Sequence, residues 1–113
     1  MSRDPLAQIE SALADAPDAD EALRKTVRIL AEQPGIEWAG IAFVETTGLV
    51  LGPSSGSPDE GRRALATVCY KDETVGELRV DGDVDPAFLE AVAERISAHV
   101  LLGWDTGGEH WEP

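Results

Sequence analysis

The most explicit chemical signature in the chain is the triplet Asp105, Thr106 and Gly107, which matches the Asp-Thr-Gly motif of aspartic proteases. In those enzymes two such aspartates face each other and share one proton. A protease half needs the triplet early, in a buried strand followed by further strands, whereas six residues follow Gly107 here. We therefore interpret the triplet as a turn.

Three aspartates at alternate positions, Asp81, Asp83 and Asp85, match the first three ligand positions of an EF-hand calcium loop. Such a loop needs glycine at its sixth position and glutamate at its twelfth, where this chain has Pro86 and Val92. The sequence therefore favours a structural role, in which these acids end a strand and begin a helix, over a calcium site.

The remaining candidate metal ligands and nucleophiles are Cys69, His99, Glu109 and His110. No two of them have the spacing of a zinc motif, so we predict no metal site. A pair formed by Cys69 and a histidine would need a third, orienting group that the sequence does not supply, so we predict no catalytic residue. We expect His99 in the last turn of a helix, where the helix dipole favours positive charge.

Aromatic side chains with a polar edge are better candidates for ligand binding, because such rings commonly line binding surfaces. The alternative is that they fill a face of a sheet or fix the C-terminal residues in place. We take Trp38, Tyr70 and Trp104, together with Leu51, as the predicted ligand-binding residues. No cofactor is predicted.

Composition limits the possible partners. The chain has 22 acidic and 9 basic residues and a formal net charge of -13. Such a surface is repelled by nucleic acids and by anionic membranes, so neither is an expected partner. The acidity is typical of a well-solvated surface, and the alternative is a surface that binds a cation or a basic partner.

With 113 residues the chain is long enough for one domain and too short for two. Its single cysteine, Cys69, excludes an internal disulfide and a redox cycle between two cysteines of one chain. The N-terminal residues lack the pattern of a signal peptide, and no apolar run approaches membrane-spanning length. We therefore expect a single cytoplasmic domain that spans residues 1–113.

Helical periodicity predicts an N-terminal helix within residues 1–17 and a second helix after Asp18, which with Glu21 resembles a capping box. Asp85 followed by Pro86 predicts the start of a third helix. Residues 102–113 contain two tryptophans and several glycines, and we predict an irregular tail that folds across the sheet or onto a partner chain.

Two hairpins are predicted between the second and third helices. Strands at residues 36–44 and 49–51 form the first, and strands at 64–70 and 74–80 form the second. A loop rich in Gly, Ser and Pro follows Leu51, includes Pro58 and joins the two hairpins. The pattern indicates an α+β fold: a mainly antiparallel sheet of about four strands with helices on one face.

The first strand is apolar on both sides and must be covered on both. The predicted helices cover one face of the sheet, and a ligand, the C-terminal tail or a second copy of the chain would cover the other. A homodimer is the expected solution, because symmetric pairing is the commonest way to bury such a surface.

Several short motifs, in this order, resemble those of GAF domains, and in particular of free methionine-R-sulfoxide reductases. They are W-A-G-I-A at residues 38–42, L-G-P-x-x-G-x-P at 51–58 and V-G-E-L-R-V-D at 75–81, before a helix that contains Phe88 and Leu89. The resemblance covers most of residues 20–100. It implies a GAF-like fold of the PAS/profilin type.

The chain departs from that family between the L-G-P motif and the last hairpin. In the family several dozen residues there supply most of the small-molecule pocket and the reductase cysteines, whereas this chain has residues 54–63. Cys69 does not match a catalytic cysteine position. The resemblance thus implies a non-catalytic regulatory module that senses a small molecule, dimerises or contacts a signalling protein. The alternatives are a free methionine-R-sulfoxide reductase and a purely structural dimerisation protein.

Overall fold

The structure is a computed structural model that describes the backbone of residues 4–45 and 48–110, and side chains up to residue 100 within those ranges. Two helices precede two strand pairs, and a third helix follows them. The elements are α1 (Pro5–Asp15), α2 (Ala19–Ala31), β1 (Ile36–Glu45), β2 (Gly48–Gly56), a 3-10 turn (Glu60–Arg62), β3 (Arg63–Tyr70), β4 (Glu73–Gly82) and α3 (Pro86–His110). The predicted α+β order is confirmed.

The starts of the second and third helices are those that the capping residues predict. The Asp18 carboxylate accepts a hydrogen bond from the backbone N–H of Glu21 at 2.8 Å. The Asp85 carboxylate likewise accepts one from the N–H of Ala87 at 3.0 Å. Each bond satisfies a backbone donor that has no partner within the first helical turn.

The predicted irregular tail is wrong over residues 102–110, because α3 continues to His110. Glycine costs a helix about 1 kcal/mol relative to alanine, which weakens an established helix without ending it. Proline, which would end it, does not occur until Pro113. The extension also places His99 inside α3, not in its last turn, so that prediction is wrong as well. Residues 111–113 lie outside the described residues.

The four strands form one antiparallel sheet with the order β2-β1-β4-β3. In each predicted hairpin the two strands pair with each other, as β1 with β2 and β3 with β4. The two hairpins meet where β1 pairs with β4. The tight turn between β3 and β4 places Lys71 at φ 51° and Asp72 at φ 68°. Positive φ at both central residues matches the right-handed twist of the hairpin.

The predicted loop after Leu51 is wrong over residues 52–56, because β2 extends to Gly56. Ser54 pairs with Gly40 and Gly56 pairs with Trp38. Backbone pairing of an edge strand does not require apolar side chains, which is why the composition of this segment is misleading. Pro53 lies at an irregularity of the β1–β2 register, where proline can be accommodated without loss of a regular ladder bond.

Helices α2 and α3 pack on one face of the sheet, α1 packs against these two helices, and the elements share a single core. The buried members of this core are Ile9, Leu23, Val27, Leu30, Ile36, Ala39, Ile41, Ala66, Val68, Val75, Leu78, Val80, Leu89, Val92, Ala93, Ile96 and Val100. Within the part of the chain that the structure describes, no helix is both long enough and apolar enough to cross a membrane.

Candidate functional site on the open sheet face

The face of the sheet opposite the helices, which we call the open face, carries two of the four predicted ligand-binding residues, Trp38 and Leu51. In a strand, successive residues point to opposite faces, so the residues that alternate with the core residues along each strand lie on the open face. Three rows of cross-strand neighbours define it: Gly56–Trp38–Asp81–Arg63, Ser54–Gly40–Arg79–Leu65 and Leu51–Ala42–Glu77–Thr67.

Trp38 lies flat along the open face instead of projecting from it. A Cβ atom added to Gly40 would lie 2.4 Å from Cη2 of the Trp38 ring and 3.2 Å from Cδ1 of Leu51. The ring therefore occupies the space that the glycine leaves, and the Trp38 residue is 4% exposed. Trp38 and Leu51, two of the four predicted ligand-binding residues, are thus brought together over Gly40.

Asp81, which is buried, forms an ion pair with the partly exposed side chain of Arg63 next to Trp38. The guanidinium donates two hydrogen bonds to the carboxylate, from Nε at 2.7 Å and from Nη2 at 2.9 Å. The backbone N–H of Asp59 donates a third at 2.7 Å. Asp81 is 0% exposed, so these three bonds replace the water that the carboxylate loses on folding.

The ion pair shifts the pKa values of both partners in the direction of the charged forms. The hydrogen bonds from Arg63, assisted by the Asp59 N–H, hold the pKa of Asp81 below its usual value even though burial acts in the opposite direction. The hydrogen bond to Asp81 in turn raises the pKa of Arg63. Both side chains therefore stay charged at neutral pH.

The Arg63 guanidinium also covers Trp38, with Cζ 4.7 Å from the ring centroid. A cation over an indole face is attracted by the negative charge density of the ring. The surface of Trp38 that we expected to contact a ligand is therefore in contact with a side chain of the same chain. Arg63 and its partner Asp81 close this end of the open face.

The middle of the open face holds a second ion pair among apolar side chains. Nε of Arg79 lies 2.8 Å from Oε1 of Glu77. The exposed apolar side chains around it are large: Leu51 is 47% exposed and Leu65 is 56% exposed. Val44 and Leu49, which pair with each other, extend the apolar surface along β1 and β2.

The other two predicted ligand-binding residues do not join Trp38 and Leu51. Tyr70 packs against the core between the sheet and the helices. The ammonium group of Lys71 lies over its ring, 5.5 Å from the centroid. The backbone of Trp104 lies in α3, but its side chain is outside the described residues. The structure thus assembles half of the predicted group.

The acids at 81–85 do lie where a strand ends and a helix begins, since Asp81 is the penultimate residue of β4, but the sequence interpretation missed the ion pair that Asp81 forms. Asp81 lies within β4, where burial and the contact with Arg63 make it part of the open face. The available signal was its alternation with Val80, which places it on the side opposite the core. Asp85 does cap α3, as predicted.

Cys69 has the surroundings of an ordinary surface thiol. It is exposed, and its sulfur lies 3.8 Å from the hydroxyl of Thr74. Across residues 4–45 and 48–100, no group of three or more His, Cys, Asp and Glu side chains could hold a metal ion. Neither observation reveals an arrangement that activates a nucleophile.

The sequence matches no protein-family profile and no curated protein. Its fold, however, matches solved structures over almost the whole chain. The GAF domain of the Acinetobacter phosphoenolpyruvate-protein phosphotransferase has a TM-score of 0.75 and 15% identity, and the match covers 96% of this chain and 99% of that one. These matches define the class: the protein has the GAF fold.

Two further structures are a reductase and a sensor protein. A free methionine-R-sulfoxide reductase from Neisseria meningitidis, solved with its substrate, has a TM-score of 0.72 and 19% identity over 94% of this chain and 96% of that one. A GAF sensor protein from Burkholderia vietnamiensis has a TM-score of 0.73 and 17% identity, and the match covers 84% of this chain and 90% of that one. The predicted GAF-like fold is thereby confirmed.

Proposed function

We propose that the protein is a non-catalytic regulatory GAF module of the cytoplasm that works as a homodimer through its open face. The open face carries the proposal, because its large apolar side chains, Leu51, Leu65, Val44 and Leu49, are between 37% and 56% exposed on a sheet face that none of the three described helices covers. Clustered exposed apolar residues mark interaction surfaces. A second copy supplies the complementary apolar surface by symmetry.

Charge supports a self-contact at this surface. The three rows that define the open face contain four charged residues, and these are paired with each other as Arg63 with Asp81 and Arg79 with Glu77. The rows are therefore electrically neutral in a chain of net charge -13. Two open faces can meet without bringing together the like charges that repel elsewhere on the surface.

The short connection between the hairpins supports a role without catalysis. Six residues, 57–62, separate the end of β2 from the start of β3, and they include one 3-10 turn. Arg63 and Leu51 occupy the space beside Trp38. Among the described residues, no group of metal ligands and no thiol with an activating partner replaces the catalytic segment of the reductases.

The proposal is tested by comparing two substitutions on β2. Leu51 and Val50 are equally exposed, at 47%, but they are neighbours along a strand and point to opposite faces of the sheet. Leu51→Lys adds a charge to the open face and should convert the dimer into a monomer in sedimentation equilibrium. Val50→Lys adds the same charge to the other face and should leave the dimer intact. A wild-type chain that is monomeric at high micromolar concentration refutes the proposal.

A turnover assay decides between this module and a reductase. The wild-type chain is supplied with free methionine-R-sulfoxide, thioredoxin, thioredoxin reductase and NADPH, and oxidation of NADPH is followed. We expect no turnover above that of the Cys69→Ser variant. Turnover that disappears in this variant would establish an enzyme and overturn the non-catalytic assignment.

A further inference from the structure

A groove lies between the edge strand β3 and helix α3, away from the rows that define the open face except at Thr67. Its volume is about 550 Å³, and it is lined by Thr67, Cys69, Ala87, Glu90, Ala91 and Glu94. The four helical residues lie at positions i, i+3, i+4 and i+7, so they form one continuous stripe along α3. The two residues from β3 are alternate positions of the same strand.

The strand side of the groove offers unpaired backbone groups. β3 is the last strand in the order β2-β1-β4-β3, and among the described residues it pairs with β4 alone. The outer edge of such a strand presents N–H and C=O groups at regular spacing, which is a template for an additional strand. An exposed sheet edge beside a helix is a known arrangement for binding an extended peptide by strand addition.

The helix side of the groove sets the chemistry of the peptide. Ala87 and Ala91 keep its floor shallow, while Glu90 and Glu94 are exposed acids at its rim. Four residues of helix rise by about 6 Å. Alternate side chains of an extended strand are about 6.6–6.8 Å apart. Two basic residues separated by one residue in an extended segment therefore match the spacing of the two glutamates.

We propose that this groove binds an extended, basic segment of a partner protein, which adds a fifth strand to the sheet next to β3. The contact would combine backbone hydrogen bonds to β3 with ion pairs to Glu90 and Glu94. A second copy of the chain is a poorer occupant, because antiparallel pairing of two β3 strands would bring the glutamates of both copies together. Two exposed glutamates, of which Glu94 lies 3.4 Å from Nη1 of its neighbour Arg95, thus distinguish this groove from the neutral open face.

The probe is a fluorescein-labelled, acetylated peptide of alternating valine and lysine, nine residues long, with binding followed by anisotropy at about 0.15 M salt. Saturable binding by the wild-type chain is expected. The double variant Glu90→Lys/Glu94→Lys should weaken binding about tenfold or more, because two attractive contacts become repulsive. The control Glu32→Lys/Glu45→Lys makes the same change in net charge at two exposed positions, the C-cap of α2 and the last residue of β1, and should alter affinity less than about twofold.

A second peptide separates strand addition from simple charge attraction. It has the same sequence but carries N-methyl groups on alternate backbone amides, which removes the donors while keeping every lysine. We expect it to bind at least about tenfold more weakly than the unmodified peptide. Equal binding of the two peptides, or no saturable binding of either up to about 1 mM, overturns the proposal.

Cys69 provides an independent readout of position, because it is the only cysteine in the sequence, is exposed and lines the groove. The bound peptide should slow its reaction with a thiol reagent such as dithionitrobenzoate, and an unchanged rate at saturating peptide would contradict binding in the groove. Leu51→Lys should leave peptide affinity unchanged, so this test and that of the homodimer can fail separately. If the Glu90 and Glu94 substitutions change the oligomeric state, the occupant is a second copy and the proposal is wrong.

Discussion

The contact between Trp38 and Gly40 allows a prediction whose sign depends on the neighbouring residue. Gly40→Ala places a Cβ atom 2.4 Å from the Trp38 ring, far inside van der Waals contact, so the ring must move. Overpacking of this kind costs about 1–3 kcal/mol. Alanine in a strand recovers about 0.5–1 kcal/mol relative to glycine. With the middle of each range, the net expected loss in the free energy of unfolding is about 1 kcal/mol.

The same substitution should have the opposite effect when the ring is absent. In Trp38→Leu the two ring atoms nearest to position 40, Cη2 and Cζ2, are removed. The end of Leu51, 3.2 Å away, can give by a few tenths of an ångström because it is a flexible side chain. Gly40→Ala should then stabilise the Trp38→Leu protein by about 0.5 kcal/mol. The coupling energy between the two positions is expected to be about 2 kcal/mol.

Urea denaturation of the four proteins of this cycle, followed by far-ultraviolet circular dichroism, measures the coupling. Gly61→Ala is the matched control, because an added Cβ there would meet its nearest neighbour, Oδ1 of Asp59, at an ordinary 3.6 Å. If Gly40→Ala costs no more than Gly61→Ala, or if the effects at positions 38 and 40 simply add, the position of the ring over Gly40 is wrong.

Two further predictions concern charge and turn geometry. The pKa of Asp81 is lowered in the folded state, so its ionisation stabilises the protein above its unfolded pKa and that contribution is lost as the pH falls below about 4. Asp81→Asn should therefore be less stable than wild type at pH 7, and the difference should shrink between pH 5 and 3; a constant difference in urea titrations contradicts the role of the ion pair. In the β3–β4 turn, Lys71→Asn/Asp72→Gly should raise the free energy of unfolding by about 1 kcal/mol, because both positions have positive φ, and a lower urea midpoint would contradict this.

The sequence was sufficient to predict features that depend on neighbouring residues. Asp18 and Asp85 cap helices because an aspartate at the right position can reach backbone donors two or three residues ahead. The hairpins were predictable because strand alternation and polar turns are local patterns. The end of α3 and the end of β2 were not, since both elements continue through residues whose intrinsic preferences oppose them.

The open face could be predicted only in part, because its contacts depend on strand order. Arg63 and Asp81 are 18 residues apart and meet through the β3–β4 ladder, while Trp38 reaches them because β1 pairs with β4. No local pattern specifies that β4 lies between β1 and β3. Trp38 could therefore be identified as a candidate, but the arginine that covers it could not.

The order of the strands also divides the sheet into two units that can form separately during folding. Each hairpin needs contacts between neighbouring stretches of chain, whereas the β1–β4 ladder joins residues such as Ile41 and Leu78 across the middle of the sequence. Docking of the two hairpins should therefore be the slow, topology-limited step. The entropic cost of closing a loop, expressed as a free energy, rises by about 0.6 kcal/mol for each doubling of loop length. Residues 57–62 are thus a point where the chain could accept a longer segment at small thermodynamic cost, provided that the Asp59 N–H still reaches Asp81.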